Sequence, residues 1–119
     1  MSSKSFHSDL LRGNLDLMVL SILAEGKLYG YLLQQKLREA TQDRIGLTAG
    51  TLYPLLHRLE DDRLIKAHWD DETGRRRKWY VLTAKGESTL VQRAQQWQDY
   101  VACLNSILGP ALRLRPGET

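Results

Sequence analysis

The spacing of apolar residues changes twice along this chain of 119 residues, and that change constrains the fold more than any other feature. Apolar side chains recur every three or four residues up to about Leu59, alternate with polar ones after Leu64, and return to the first spacing after Leu82. The first pattern is typical of a helix with one buried face, and alternation is typical of a half-buried strand. The predicted order is therefore helix, helix, helix, hairpin, helix.

Three helices are predicted before the hairpin. The first covers Asp9–Glu25 and the second runs over about Tyr29–Thr41. Thr48 can cap the third, because its hydroxyl can accept a hydrogen bond from an N–H of the first turn. Pro54 would remove one hydrogen bond inside that helix, so we expect a late start or a kink.

A hairpin is predicted around the loop that contains Gly74. Leu64–Trp69 alternates in polarity, and Arg77–Leu82 is rich in aromatic and β-branched residues, which favours two short strands. A hairpin that follows two helices joined by a short link indicates a winged helix-turn-helix. In that fold the third helix enters the major groove of DNA and the hairpin lies along the backbone or minor groove.

The stretch GRRRKWY, Gly74–Tyr80, places three arginines and a lysine directly before two aromatic residues. Such a composition suits a wing, because aromatic residues anchor its strands while cations at its tip can neutralise phosphates. Alternation places Arg75 and Arg77 on one side of the strand and Arg76 and Lys78 on the other. Only part of the cluster can then face DNA, unless the tip twists. The plainer reading of the same residues is a solvated charge run.

A long last helix is predicted after Thr83, which can cap it, and Gly109–Pro110 is expected to stop it. Its apolar residues step by four and three, the spacing of a coiled-coil seam. The seam consists of Leu90, Ala94, Trp97, Val101, Leu104 and Leu108. The fold class is thus mostly α with a small two-stranded β wing. Residues 1–83 are expected to form the winged helix-turn-helix domain, 84–109 a C-terminal dimerisation helix, and 110–119 a flexible tail.

Charge and composition exclude several classes of function. A net charge of +3 permits a nucleic-acid partner without requiring one. No apolar run is long enough to span a bilayer, the start lacks a secretory signal, and a single cysteine, Cys103, fits the reducing cytoplasm. His7, His57 and His68 lack metal-ligand spacing, and no phosphate loop or nucleophile motif occurs. We therefore predict a cytoplasmic protein without enzymatic activity, cofactor or metal.

Three stretches resemble the PadR family of bacterial transcriptional regulators. They are LRGNLDLMVLSILAEGKLYGYLL from Leu11, LTAGTLYPLLHRLEDDRLI from Leu47, and GRRRKWYVLTAKGE from Gly74. The resemblance implies a dimeric repressor whose C-terminal helix pairs with its twin, and a short branch of the family with a reduced C-terminal domain. It also implies that Tyr53 and the basic residues of the wing touch DNA. The sequence departs from the family at Asp62-Arg63, where a glycine is common.

The candidate DNA contacts come from the second and third helices and from the wing. They are Tyr29, Thr48, Thr51, Tyr53, His57, Arg58, Arg75, Arg76, Arg77 and Lys78. Tyr53 could instead be a partly buried packing residue, although its position beside the outer face favours phosphate. We expect Tyr31 to pack against the domain.

Trp97 supports two interpretations. It can anchor the seam between two copies, or a pair of such rings can hold the helices apart and leave a flat apolar slot for a planar ligand. The family resemblance implies the slot, since some members release DNA on binding a small aromatic molecule, whereas the absence of convergent polar groups favours the anchor.

Three hypotheses on function follow. The leading one is a homodimeric repressor that binds an inverted repeat in double-stranded DNA, with half-sites about 10 bp apart. The second keeps this fold and adds a small aromatic effector bound at Trp97. The third is a winged-helix protein-interaction module without a specific operator, because fold alone does not establish function.

Overall fold

The computed structural model describes residues 6, 11, 13–71 and 74–114. These form a winged helix-turn-helix followed by a long helix, which confirms the predicted fold class. The elements are α1 (Leu15–Leu23), β1 (Leu28–Tyr29), α2 (Gly30–Ala40), α3 (Ala49–Asp61), β2 (Ile65–Asp70), β3 (Arg77–Leu82) and α4 (Ala84–Leu112). We call β2, β3 and the loop between them the wing.

Leucine dominates the core that joins α1, α2, α3 and the sheet. Leu52, Leu55, Leu56 and Leu59 of α3 are buried, and among the described residues Tyr80 alone brings a side-chain hydroxyl into this core. The core residues are Val19, Leu20, Leu23, Leu28, Leu33, Leu37, Ile45, Leu47, Leu52, Leu55, Leu56, Leu59, Leu64, Ile65 and Tyr80. Because one face of α3 is fixed in this core, its opposite face is held outward.

The first helix is not continuous as predicted. Gly13 has a φ of +81°, a left-handed conformation that suits glycine, and it forms a turn with Asn14 ahead of α1. The Asn14 N–H donates to the carbonyl oxygen of Leu11 across this turn. The helix therefore begins at Leu15, and the predicted start at Asp9 lies outside the described residues.

Two prolines, Pro54 and Pro110, lie inside helices. The late start expected for α3 is wrong: the helix begins at Ala49, and Pro54 is accommodated on its exposed side. The stop expected at Gly109–Pro110 is also wrong, because α4 continues to Leu112. Each proline removes only one backbone hydrogen bond. Independently of Pro54, the Thr48 hydroxyl caps α3 as predicted, since it accepts from the Thr51 N–H at 3.3 Å.

The sheet has three antiparallel strands, with β3 in the centre between β1 and β2. The hairpin of β2 and β3 is the predicted wing, whereas β1 was not predicted. Its two residues are too few to show alternation. Tyr29 pairs with Trp79 across β1 and β3, so the wing is attached to the start of α2. The sheet therefore holds the basic residues of the wing beside the helices.

The first turn of α4 is hydrogen-bonded to the segment between α3 and β2. The Thr83 hydroxyl accepts from the Gly86 N–H at 2.9 Å and donates to the carbonyl oxygens of Arg63 and Leu64, which confirms the predicted cap. Gly86 is buried, and a methyl group there would overlap the carbonyl oxygen of Leu64. From this joint α4 extends for 29 residues, about 44 Å. None of the described helices combines the length and apolar character needed to cross a membrane.

Candidate nucleic-acid interface

An open groove of about 800 Å³ lies between α3 and the wing. Four consecutive cations and five aromatic rings line it, and no acidic residue is among the described residues of its lining. The lining consists of Tyr29, Gly30, Tyr31, Tyr53, His57, Trp69, Arg75, Arg76, Arg77, Lys78 and Tyr80. We call it the basic groove. Its composition suits a polyanion, because clustered cations attract phosphates and release their counterions.

Most of the predicted DNA contacts converge on the basic groove. The structure brings together Tyr29, Tyr53, His57, Arg75, Arg76, Arg77 and Lys78. Thr48 and Thr51 lie outside the groove at the exposed start of α3, where their hydroxyls are 3.3 Å apart. Thr51 lines instead, with Pro54 and Arg58, a separate depression between α3 and the start of α1.

Arg58 points away from the basic groove. Its Nη2 lies 2.6 Å from Oδ1 of Asp16 in the first turn of α1, and its side chain is 56% exposed. The other carboxylate oxygen of Asp16 lies 3.9 Å from Nη1 of Arg93 on α4. The carboxylate offsets the charge of Arg58, so contact with phosphate would require release from Asp16. Residues 42 positions apart form this pair, and no local sequence pattern predicts it.

Gly30 fixes the position of Tyr53. Tyr53 is 41% exposed at the groove, and a methyl group at Gly30 would overlap its hydroxyl and ring. The sequence alone did not predict this role for Gly30. The signal that could have indicated a close approach is a glycine between two tyrosines at the start of a helix. The packing expected for Tyr31 is wrong, because its side chain is 65% exposed in the groove.

Each of three wing cations lies against an aromatic ring. The Arg76 guanidinium carbon is 4.5 Å from the Trp69 ring centroid, and that of Arg77 is 4.3 Å from the Tyr29 centroid. Nζ of Lys78 lies 5.6 Å from the centroid of Tyr80. Contacts of this kind hold long cationic side chains in defined directions.

Acidic residues approach the wing at two places. Oε1 of Glu60 lies 3.7 Å from Nζ of Lys78 and partly neutralises it. Asp70 is the cross-strand partner of Arg77. Arg75 and Arg76 lie before the paired residues of β3, and both side chains are exposed.

Tyr80 forms the buried floor of the basic groove. Burial, with smaller contributions from Tyr53 and Glu60, raises the pKa of the Tyr80 phenol above its ordinary value of 10.0. The hydroxyl therefore stays protonated at neutral pH. A phenolate here would repel an anion, so the neutral form keeps the groove suited to phosphate.

Trp97 lies on α4, away from the basic groove. It is 41% exposed, and its ring centroid is 5.7 Å from that of Tyr100. A second groove of about 500 Å³ lies beside it along α1 and α2, with mostly apolar walls that include Met18, Ile22 and Ile45. Among the described residues, no group of histidine, cysteine and acidic side chains could hold a metal ion.

The apolar face of α4 is wider than the predicted seam. Leu90, Val101 and Leu104 are partly buried within one chain, whereas Ala94 and Leu108 are exposed. Further large apolar residues on this helix are exposed outside the seam, namely Val91, Tyr100, Ile107 and Leu112. The stepping rule of a two-stranded coiled coil predicted only part of this surface.

Comparison with known proteins agrees with this architecture. Residues 19–92 match the model of the transcriptional regulator PadR-like family, which is more than half of the chain. A transcriptional regulator from Clostridium thermocellum, Cth-833, superposes with a TM-score of 0.76 at 33% identity, covering 82% of this chain and 96% of that one. A PadR family transcription regulator from Clostridium difficile R20291 has a TM-score of 0.73 at 35% identity, with 81% and 99% covered.

A mycobacterial regulator is also similar over a comparable region of the chain. Transcriptional regulator Rv3488 of Mycobacterium tuberculosis is 33% identical over 81 residues, which is 68% of this chain and 73% of that protein. The matched family region spans α2, α3 and the wing, and so contains the basic groove. On the strength of its sequence match and its fold, the chain belongs to the PadR-like family of DNA-binding transcriptional regulators.

Proposed function

We propose that this protein is a homodimeric repressor that binds an inverted repeat in double-stranded DNA through its basic groove. The observation that carries the proposal is the convergence of four wing cations with the exposed face of α3 on one groove. It acts by binding, without catalysis or a cofactor. Its place of action is the cytoplasm, where a bacterial chromosome lies.

The two sides of the groove have different tasks in this proposal. Thr48, Thr51 and His57 on α3 face the major groove, where hydroxyl and imidazole groups can reach base edges. Tyr53 and Tyr29 orient the helix by contact with the backbone, since such contacts set register without reading sequence. The wing cations Arg75–Lys78 supply the salt-dependent part of the affinity. Arg58 joins them only if Asp16 releases it.

Dimerisation through α4 supports the inverted repeat. A 29-residue helix whose apolar face is largely exposed in one chain is an expected interaction surface. We assign the contact to the seam of Leu90, Ala94, Val101, Leu104 and Leu108. A twofold axis through this seam would present two copies of α3, each to one half-site, about 10 bp apart.

A small aromatic effector is the third part of the proposal. Trp97 lines the apolar groove of about 500 Å³, and its ring centroid lies 5.7 Å from that of the exposed Tyr100. A planar apolar molecule fits such a surface, because stacked rings bury large areas at little conformational cost. Binding there would release DNA by changing how the two copies of α4 meet.

The experiment is a fluorescence-anisotropy titration of labelled duplex DNA at several salt concentrations. We compare the wild type with Arg75→Ala/Arg76→Ala/Arg77→Ala, which should weaken binding to every sequence. Its slope of log affinity against log salt should fall by about 0.9 for each lost phosphate contact. A matched control, Lys36→Ala/Arg38→Ala/Arg113→Ala, removes the same charge from exposed sites outside the groove. Equal losses in both triple variants would contradict the assignment of the wing.

A further inference from the structure

Trp69 is a large aromatic residue that the core does not require. Its side chain is 56% exposed at the end of β2, although the neighbouring apolar positions of that strand turn inward. It lines the basic groove and carries the Arg76 guanidinium on its ring at 4.5 Å. Packing in the core therefore does not explain why this strand carries a solvent-exposed indole.

The strand register places Trp69 and Arg76 on the same side of the wing. Trp69 pairs with Lys78, and Arg76 lies two residues before Lys78 on the neighbouring chain segment. Arg76 stands immediately before β3, and if the alternation of that strand is continued by one residue, Arg76 is the diagonal neighbour of Trp69, which agrees with their 4.5 Å contact. Diagonal neighbours are within reach of long side chains, and the contact is thus built into the hairpin.

Stacking on a ring orders a guanidinium in a particular way. The planar group lies over the ring face, while its N–H groups stay in its own plane and remain available to other acceptors. An arginine held like this loses less conformational freedom when it meets a phosphate than one that moves freely in solvent. Arg76 is exposed and is the cation for which this ordering can matter to a ligand in the groove.

We propose that Trp69 is a positioning residue, which holds the Arg76 guanidinium so that its N–H groups face a phosphate of the bound duplex. The inference rests on the proposed function, because it names the device that prepares one of the cations of the basic groove. It assigns Trp69 no contact of its own with a base.

A second arginine provides an internal comparison. Arg77 lies over Tyr29 at 4.3 Å, on the side of the basic groove where β1 pairs with β3. Its cross-strand partner is the acid Asp70. The Tyr29 ring is in turn fixed by Trp79, at 4.9 Å between ring centroids. Arg77 thus stacks within a packed cluster with an acid beside it, whereas the ring beneath Arg76 is itself exposed.

The test is a double-mutant cycle on the full chain. Wild type, Trp69→Ala, Arg76→Ala and the double variant are titrated against a labelled duplex of random sequence, about 30 bp long to cover both half-sites. Trp69→Ala should weaken binding by about two- to fivefold, the range of an exposed cation–π contact. In the Arg76→Ala background the same change should have no effect. Trp69→Phe keeps a ring face and should restore most of the affinity.

The salt dependence separates positioning from loss of charge. Arg76→Ala should lower the slope of log affinity against log salt by about 0.9, whereas Trp69→Ala should leave it unchanged because the cation is still present. His68→Ala, the neighbouring exposed position on β2, is the matched control and should bind as the wild type does.

Two outcomes would overturn the inference. One is an equal loss from Trp69→Ala in both backgrounds, because Trp69 would then act on DNA or on the fold by itself. The other is unchanged affinity in Trp69→Ala while Arg76→Ala binds less tightly. Failure of the wild type to bind the duplex at low salt would instead refute the proposed function, so the two failures are distinguishable.

Discussion

Replacing Gly30 with alanine should displace Tyr53 without unfolding the domain. The added methyl group would overlap the tyrosine hydroxyl and ring, and the ring tip is the far end of a side chain that is 41% exposed. Tyr53 can therefore swing towards solvent. Alanine gains up to about 1 kcal/mol over glycine in a helix, and the displaced ring loses several dispersion contacts of about 0.1–0.2 kcal/mol each. The free energy of unfolding should change by less than about 1 kcal/mol.

The effect on DNA binding should be larger than the effect on stability. A hydrogen bond to a charged group contributes about 1.5–3 kcal/mol, so loss of the proposed contact between Tyr53 and phosphate should weaken binding by about ten- to a hundredfold. Anisotropy titration gives the affinity, and urea denaturation gives the stability. Tyr53→Phe is the companion variant, because it removes the hydroxyl and leaves Gly30 in place. The reasoning is refuted if Gly30→Ala binds DNA like the wild type. It is also refuted if Gly30→Ala lowers the DNA affinity of the Tyr53→Phe variant by the same factor as it lowers that of the wild type.

Three further predictions concern the joint, the groove floor and the dimer. Gly86→Ala should lower the free energy of unfolding by about 2 kcal/mol in urea denaturation, because overpacking against the backbone carbonyl of Leu64 costs about 3 kcal/mol, the upper end of the usual range, and helix propensity returns up to about 1. An unchanged midpoint would contradict the close approach. The raised pKa of Tyr80 favours the neutral phenol in the folded state, so its contribution is complete below the ordinary value of 10.0 and is lost as pH rises through the higher folded value. The melting temperature of Tyr80→Phe should therefore fall less steeply with pH above about pH 10 than that of the wild type. Melting temperatures that fall in parallel for the two proteins would contradict this prediction. Leu104→Asp should yield a folded monomer in analytical ultracentrifugation, because a charge in an apolar seam lacks a partner; a dimer of wild-type affinity would place the interface elsewhere.

Local signals in the sequence were sufficient for the helices and the wing. The leucine stripe of α3 follows from spacing alone, and both threonine caps follow from hydroxyls placed just before helical runs. The hairpin follows from alternation and from the change to aromatic and β-branched residues. These features depend on neighbours within a few positions, which is the range that a sequence pattern can show.

The features that the sequence did not predict are of two kinds. Some depend on residues far apart in the chain, and others are exceptions to a sequence rule, such as a proline inside a helix. The contact between Asp16 and Arg58, and the close fit of Gly30 to Tyr53, arise only after the helices pack. Strand β1 is two residues long and exists because β3 offers it a partner. Pro110 was expected to end α4, but a proline in the last turn of a long helix removes a single hydrogen bond.

The joint at Thr83 and Gly86 has a mechanical consequence for the choice of operator. A helix about 44 Å long acts as a lever, so a tilt of about 5° at its base would move its far end by about 4 Å. That displacement is about one base-pair step of 3.4 Å. A joint held by a threonine cap and by a glycine with no room for a methyl group resists such a tilt. In the proposed dimer, two copies joined through α4 would therefore hold their α3 helices at a fixed separation. Such a dimer would bind less tightly to a repeat whose spacer is one base pair too long.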